Sequence, residues 1–199
     1  MKKSITKNKN FTLKDSKDFA LISGDYNPIH WDHSFSSRSL YGKPIVHGAL
    51  IIIKLLDILD EVLDTNLKNF ESIFYKPLFV DEIFYYKIRK TKLAYNIVVV
   101  NNKNQIISKS EINLLSREYN FENRIKIKNF KIKKKIPDVF EETNIQKSIN
   151  KTIKLEYSYN NKYNLLKNLL FNSSRIIGMK IPGMYSVFYS INIENNSII

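Results

Sequence analysis

A single long helical stretch followed by four strand-like runs is the pattern that most constrains the fold of this chain. Apolar side chains recur at helical spacing through residues 46–63, and charged side chains fill other positions. The apolar positions are Leu50, Ile53, Leu56, Leu59 and Val62. The strand-like runs, separated by short turn signals, cover residues 70–79, 83–90, 94–100 and 105–116. One helix followed by an antiparallel meander predicts an α+β fold with the sheet wrapped on the helix.

Composition is consistent with a folded core and excludes several classes of protein. Of the 199 residues, 43% are hydrophobic and 13% are aromatic, so the chain can bury a core. Cysteine is absent, which excludes disulfides and cysteine-bound metal and is compatible with a reducing compartment. The longest apolar run, residues 49–53, is far shorter than the ~20 residues that a membrane-spanning helix needs. No signal peptide is predicted, and we expect a cytoplasmic protein.

Eight consecutive residues before the long helix carry the strongest functional signal. They read Ser23-Gly24-Asp25-Tyr26-Asn27-Pro28-Ile29-His30. The segment predicts an ordered turn, because Gly24 tolerates positive φ, Pro28 restricts φ, and the Asn27 side chain can bond its own backbone. Across this turn, the carboxylate of Asp25 and the imidazole of His30 can share one water molecule. Such a pair suits general acid–base catalysis.

These eight residues resemble the hydratase motif of the MaoC-like (R)-specific enoyl-CoA hydratases, which belong to the hot-dog superfamily. That motif runs Ser-Gly-Asp-x-Asn-Pro-x-His, and every specified position is matched. Residues 18–20 resemble the helix that leads into the motif, and residues 45–50 resemble the segment that opens the long helix. The resemblance covers residues 11–117 and implies a hot-dog fold, in which an antiparallel sheet wraps a long central helix.

The resemblance implies a lyase acting on acyl thioesters, as in fatty acid metabolism. Such an enzyme adds water to a 2-enoyl thioester or removes it from a 3-hydroxyacyl thioester, carried on coenzyme A or on an acyl carrier protein. The implied catalytic residues are Asp25 and His30, and the roles of acid and base stay open because the pair titrates as a unit. The structural alternative is that Asp25 caps a turn and His30 is a core histidine; the intact motif favours catalysis.

Three further residues are implied in binding the thioester. Gly48 begins the long helix and matches the family's oxyanion-hole glycine, since a backbone N–H at a helix N-terminus stabilises developing negative charge. Tight packing of this glycine is the alternative. Asn27 is expected to fix the turn, with an amide that can touch substrate, and His47 to shape the pocket or bond the backbone. His33 has no motif support and is interpreted as a surface residue.

Neither a metal nor a cofactor is predicted. The three histidines and the nearby acids show no His-x-x-x-His or facial-triad spacing. With 5 glycines the chain has no phosphate-cradling loop, so nucleotide-dependent chemistry is not expected. The net charge of +13 suits an anionic partner, although a general excess of Lys, Asn and Ile also accounts for it. Aromatic residues at core-like positions argue against a nucleic-acid platform.

Four segments are predicted along the chain. Residues 1–10 form a frayed basic tail, 11–117 the hot-dog domain, 118–150 a basic linker and 151–199 a partial second hot-dog-like unit. The last assignment depends on a helix over residues 165–178 and a Pro-Gly turn into a strand at 181–188, which resemble the start of the second unit in double hot-dog proteins. Because hot-dog units pair through their sheets, we expect a homodimer or an internal pseudo-dimer.

Two other functions remain open from the sequence. Hot-dog thioesterases place their acidic residue on the central helix, where Asp57 is the available candidate. A non-catalytic acyl-binding or scaffold subunit is favoured if the second unit leaves the pocket unformed. The intact motif argues against the thioesterase.

Overall fold

The computed structural model describes residues 4–59, 67–114, 165–179 and 189–194. They form helices and one antiparallel sheet, so the predicted α+β class is confirmed. The chain divides into two compact units. The sheet unit covers Met1–Asn10, Lys54–Ile125 and Tyr189–Ile199, and the helical unit covers Phe11–Ile53 and Lys126–Phe188.

In its described residues, the sheet unit contains six strands in the order β1-β3-β4-β5-β2-β6. Every neighbouring pair is antiparallel. The strands are β1 (Ser4–Lys9), β2 (Leu67–Phe74), β3 (Phe84–Lys90), β4 (Ala94–Asn101), β5 (Ile106–Leu114) and β6 (Ser190–Glu194). Side chains alternate between the two faces of β3, where Phe84, Tyr86 and Ile88 are buried while Lys87 and Arg89 are exposed. This period of two is what selects a half-buried strand.

Two elements of the sheet unit differ from the sequence prediction. The strand predicted over residues 70–79 corresponds to β2, which ends at Phe74. It ends early because Pro77 lacks a backbone N–H and restricts the residue before it. Residues 1–10 were predicted as a frayed tail, but Ser4–Lys9 forms β1 and pairs with β3. The residues of β1 show no apolar alternation, so only main-chain pairing with a neighbouring strand could reveal it.

The helical unit contains α1 (Leu13–Ser23), a 3-10 turn (Pro28–His30), α2 (His33–Ser36) and α4 (Leu165–Met179). The long helix α3 (Gly48–Leu59) begins in this unit. Thr12 caps α1: its side chain accepts the N–H of Asp15, whose carboxylate accepts the N–H of Thr12. This reciprocal capping satisfies two N–H groups that a helix start otherwise leaves unpaired.

The domain boundaries of the sequence analysis stay a prediction. The boundaries at 117/118 and 150/151, the predicted linker 118–150 and the predicted strand 181–188 all lie outside the described residues. The helix predicted over 165–178 is present as α4. Within the described residues, no helix has the length and apolar character that a membrane crossing requires.

Candidate active site

The predicted turn after α1 is formed by three local devices. Gly24 ends α1 in the left-handed conformation, with φ of 76°, and donates its N–H to the carbonyl of Ala20 at 2.8 Å. Asn27 caps the 3-10 turn by accepting the N–H of Ile29, and Pro28 occupies the first position, where no N–H is needed. The sequence motif is therefore a helix end joined to a capped 3-10 turn, which fixes the directions of the side chains between them.

Asp25 is buried and held by two hydrogen bonds. Its carboxylate accepts the hydroxyl of Ser174 at 2.6 Å and the backbone N–H of Asn27 at 3.2 Å. Only 2% of the residue is exposed. Burial raises the pKa of Asp25 to about 7, because the charged form loses its hydration, and the two hydrogen bonds oppose that shift. The group can therefore gain or lose a proton near neutral pH.

His30 is buried beside it and is held in one tautomer. Its Nδ1 lies 2.9 Å from the carbonyl oxygen of Ile45. A carbonyl can only accept, so Nδ1 carries the hydrogen and Nε2 keeps its lone pair in the neutral ring. Burial lowers the pKa of His30 to about 4, and the bond to Ile45 opposes this shift. A neutral His30 thus presents a proton acceptor at Nε2.

His47 lies against both groups. Its ring stacks on that of His30 with centroids 3.7 Å apart, and it contacts the ring of Phe19 at 4.5 Å. Its Nε2 is 4.0 Å from Oδ2 of Asp25, too far for a hydrogen bond. Burial, with His30 adding to it, lowers the pKa of His47 well below its ordinary value; the nearby main chain of Asp25 opposes the shift. Neither ring nitrogen has a hydrogen-bond partner among the described residues.

The three side chains converge on one point. One nitrogen or oxygen atom from each of Asp25, His30 and His47 lies within 4.8 Å of the other two. The closeness expected for Asp25 and His30 is therefore observed. Linear spacing predicted no metal-ligand set, yet the fold brings two imidazoles and a carboxylate together. All three residues are buried.

The remaining predicted site residues are placed as follows. Asn27 is fully buried and fixes the turn. Gly48 is the first residue of α3 and is half-buried. The His47 ring interacts with the main chain of Asp25 without forming a hydrogen bond of good geometry, and it lies beside the pair, where the resemblance expects it to shape the pocket. His33 is exposed, as predicted.

Helix α4 supplies contacts that the sequence analysis missed. Ser174 bonds Asp25, and Met179 accepts the backbone N–H of Tyr26 at its sulfur, at 3.2 Å. A side chain at Gly178 would place its Cβ 2.0 Å from Oδ1 of Asp25, so only glycine fits this approach. Ser174 and Gly178 are four residues apart and therefore share one helix face. In the sequence, two small residues at this spacing near the end of a predicted helix could have indicated a close approach of that helix to another segment.

Replacing Ser174 with Ala is expected to destabilise the protein more at high pH than at low pH. Because the pKa of Asp25 is raised on folding, its stabilising contribution is lost as the pH rises through about 7. Without the hydroxyl the pKa rises further, so this loss extends to higher pH. Above that range the variant also lacks a bond to a buried carboxylate, which contributes ~1.5–3 kcal/mol. Urea unfolding at about pH 5 and about pH 9 measures the difference.

Ser173→Ala is the matched control for this experiment. Ser173 is the neighbouring residue on α4, and its hydroxyl donates to the carbonyl of Leu169 at 2.8 Å within the same helix. It should show no comparable dependence on pH. An equal loss of stability at both pH values in Ser174→Ala would contradict the role assigned to its bond with Asp25.

Comparison with known proteins relates this geometry to a family. The family model described as "MaoC like domain" matches residues 2–113, more than half of the chain. A segment of 43 residues is 40% identical to the (R)-specific enoyl-CoA hydratase of Aeromonas caviae. That segment is 22% of this chain and 32% of the relative, so the match spans about a third of the relative's length.

Solved structures support the same fold. The (R)-hydratase from A. caviae involved in PHA biosynthesis matches with a TM-score of 0.52 and 21% identity, over 57% of this chain and 93% of that one. R-hydratase PhaJ1 from Pseudomonas aeruginosa matches with a TM-score of 0.51 and 18% identity, over 58% and 81%. These likenesses confirm the predicted hot-dog fold. The matched family model, which covers more than half of the chain, shows that the chain belongs to the MaoC-like domain family.

Proposed function

We propose that this protein is a hydratase or dehydratase acting on 2-enoyl and 3-hydroxyacyl thioesters. The observation that carries the proposal is the convergence of Asp25 and His30, held by the turn that the hydratase motif encodes. Family membership supports hydratase chemistry in general, and the similarity to the (R)-specific enoyl-CoA hydratase of A. caviae supports a 2-enoyl-CoA substrate.

In the proposed reaction, the pair positions one water molecule against the double bond of the substrate. The water oxygen bonds to Cβ, one member of the pair takes the proton that the water loses, and the other gives a proton to Cα. The reverse sequence removes water from the 3-hydroxyacyl thioester. A shared water that is held on both sides contributes both orientation and proton transfer.

The pKa values of the two groups support a reaction in which one donates a proton and the other accepts one. With a pKa raised to about 7, Asp25 is available in both protonation states near neutral pH. With a pKa lowered to about 4, His30 is neutral there and keeps an acceptor nitrogen. The pair therefore provides one donor and one acceptor at the same pH, which general acid–base catalysis requires. Which group serves water and which serves Cα is left to experiment.

The start of α3 supports a site for the thioester oxygen. The carbonyl of His47 accepts the N–H of Leu50 at 3.0 Å and that of Ile51 at 3.3 Å. The N–H groups of Gly48 and Ala49 precede these first helical bonds, where intrahelical partners do not exist. We propose that the Gly48 N–H stabilises the negative charge that develops on the thioester oxygen.

Replacing Gly48 with Ala is expected to impair turnover with little loss of stability. The N–H stays in place, but a methyl group occupies the path by which the thioester approaches; losing such a donor contact costs ~10²-fold or more. Stability should hold, since Ala favours a helix over Gly by ~1 kcal/mol. Thermal melting and hydration kinetics on one preparation measure both effects. A lowered melting temperature with unchanged activity per folded molecule would instead support a packing role.

The finer parts of the proposal concern the carrier, the assembly and the location. We propose coenzyme A or an acyl carrier protein as the carrier, because both bear phosphate and the chain has a net charge of +13. A role in fatty acid metabolism, a homodimer paired through its sheets and a cytoplasmic location complete the proposal. Sedimentation of the purified chain tests the homodimer.

One assay distinguishes the proposed activity from its alternatives. Incubation with crotonyl-CoA should lower the absorbance of the conjugated enoyl thioester as water adds, without releasing free thiol. Release of thiol would indicate a thioesterase instead; in the structure its candidate, Asp57, lies 3.5 Å from Lys54 and is partly exposed. Binding of the thioester with neither reaction would indicate an acyl-binding subunit.

A further inference from the structure

His47 presents an unexplained cost in the buried site. Both ring nitrogens are buried and lack a partner among the described residues. A neutral imidazole has one nitrogen that donates a hydrogen bond and one that accepts it, so both capacities are unused here. Leaving such a group unsatisfied costs ~1–3 kcal/mol, so a buried orphan of this kind calls for a partner. The proposed hydration assigns the shared water to Asp25 and His30 and leaves the ring of His47 without a ligand.

Two of the three converging side chains, His30 and Asp25, are held by hydrogen bonds of the kind found around metal ligands. His30 donates Nδ1–H to the carbonyl of Ile45, which fixes the ring and directs Nε2 away from that bond. Asp25 is fixed by Ser174 and by the N–H of Asn27. Metal-bound histidines and carboxylates are held by outer hydrogen bonds of these kinds.

We propose that Asp25, His30 and His47 form a binding site for a divalent transition-metal ion, with Zn²⁺ as the best match. Two imidazoles and one carboxylate suit zinc, and three protein ligands leave a fourth position for water. Each ligand atom lies ~2.0–2.2 Å from a bound zinc ion. Two such atoms must therefore be closer to each other than the present 4.0 Å between Nε2 of His47 and Oδ2 of Asp25. Closing this gap requires the His47 ring to tilt out of its stack on His30, where the ring centroids are 3.7 Å apart.

Occupancy of this site has a consequence that rests on the proposed function. A bound ion takes the lone pair of His30 and an oxygen of Asp25, the same atoms that hydration needs for proton transfer. Zinc therefore inhibits hydration, and the inhibition constant equals the dissociation constant measured without substrate. The binding itself does not depend on whether the protein is a hydratase.

The test measures metal binding directly on the full chain. Zn²⁺ is titrated in competition with a chromophoric chelator, and Co²⁺ is used as a spectroscopic probe through its visible absorption. Asp25→Asn, His30→Gln and His47→Gln each remove one ligand. His33→Gln is the matched control, because His33 is the third histidine of the chain and is exposed.

The proposal expects one ion per chain, with affinity reduced at least ~100-fold by each of the three site variants and unchanged by His33→Gln. Absence of stoichiometric binding would overturn it, as would binding that only His33→Gln removes. If a site variant fails to fold, NMR spectra of the unmodified protein test the proposal. Zinc must shift the ring signals of His30 and His47 and must not shift the ring signals of His33. Zinc binding without any hydration activity would refute the proposed function and retain the metal site.

Discussion

Replacing Asp25 with Asn is expected to lower the rate of crotonyl-CoA hydration by at least ~10²-fold, the usual size of an acid–base contribution. Ser174 and the N–H of Asn27 bond different carboxylate oxygens, so the single amide oxygen can accept from the Asn27 N–H while the amide NH2 donates to the Ser174 hydroxyl, and the side chain keeps a bonded partner on each side. It cannot exchange a proton, which isolates the chemical role of the carboxylate. His30→Gln should give a loss of similar size, and turnover measured by enoyl absorbance tests both.

The exposed His33 provides the control for these kinetics. His33→Gln removes an imidazole three residues from His30 without touching the buried cluster, so its rate should match that of the unmodified protein. Normal turnover in Asp25→Asn or His30→Gln would contradict the proposed hydration and move the assignment to an acyl-binding subunit or a thioesterase.

The same Asp25→Asn variant should gain stability relative to the unmodified protein as the pH rises. The pKa of Asp25 is raised on folding from 3.8 to about 7, so its contribution is complete below pH 3.8 and is lost as the pH rises through about 7. The variant does not titrate at this position and avoids that loss. Unfolding measured across this range should show the difference; a constant offset would mean that the buried carboxylate does not titrate as inferred.

Replacing Gly178 with Ala is expected to reduce turnover by about 10²-fold and to destabilise the protein. In an ordinary helix this change stabilises by ~1 kcal/mol. Here the new methyl group would lie 2.0 Å from Oδ1 of Asp25, so the carboxylate or helix α4 must shift. Misplacement of a catalytic group by about 1 Å can cost 10²-fold in rate. Thermal melting and hydration kinetics report the two effects.

A second background shows whether this effect passes through the carboxylate. Gly178→Ala should cost much less stability in a protein that already carries Asp25→Ala, because the atoms that clash are then absent. If Gly178→Ala destabilises both backgrounds equally, the glycine is needed for some other feature of α4 and not for its approach to Asp25.

Local rules were enough to predict much of this molecule. Gly24, Asn27 and Pro28 each act within a few residues of their own position, so the turn that presents Asp25 and His30 is encoded where it stands. The helix α3 and the strands β3 to β5 likewise follow from periodicity in continuous segments. Strand β1 was missed because its six residues carry no such period and depend on pairing with β3.

The burial, the distant contacts and the shifted pKa values of the candidate site depend on tertiary structure. Ser174 and Gly178 reach Asp25 across about 150 residues of sequence, and no local pattern specifies which side chain a distant helix will meet. His47 joins His30 only through folding. Burial by these segments, more than the residues themselves, raises the pKa of Asp25 and lowers that of His30, because charge is costly where water is excluded. The sequence names the proposed acid–base pair, and the packing around it determines the protonation states of Asp25 and His30.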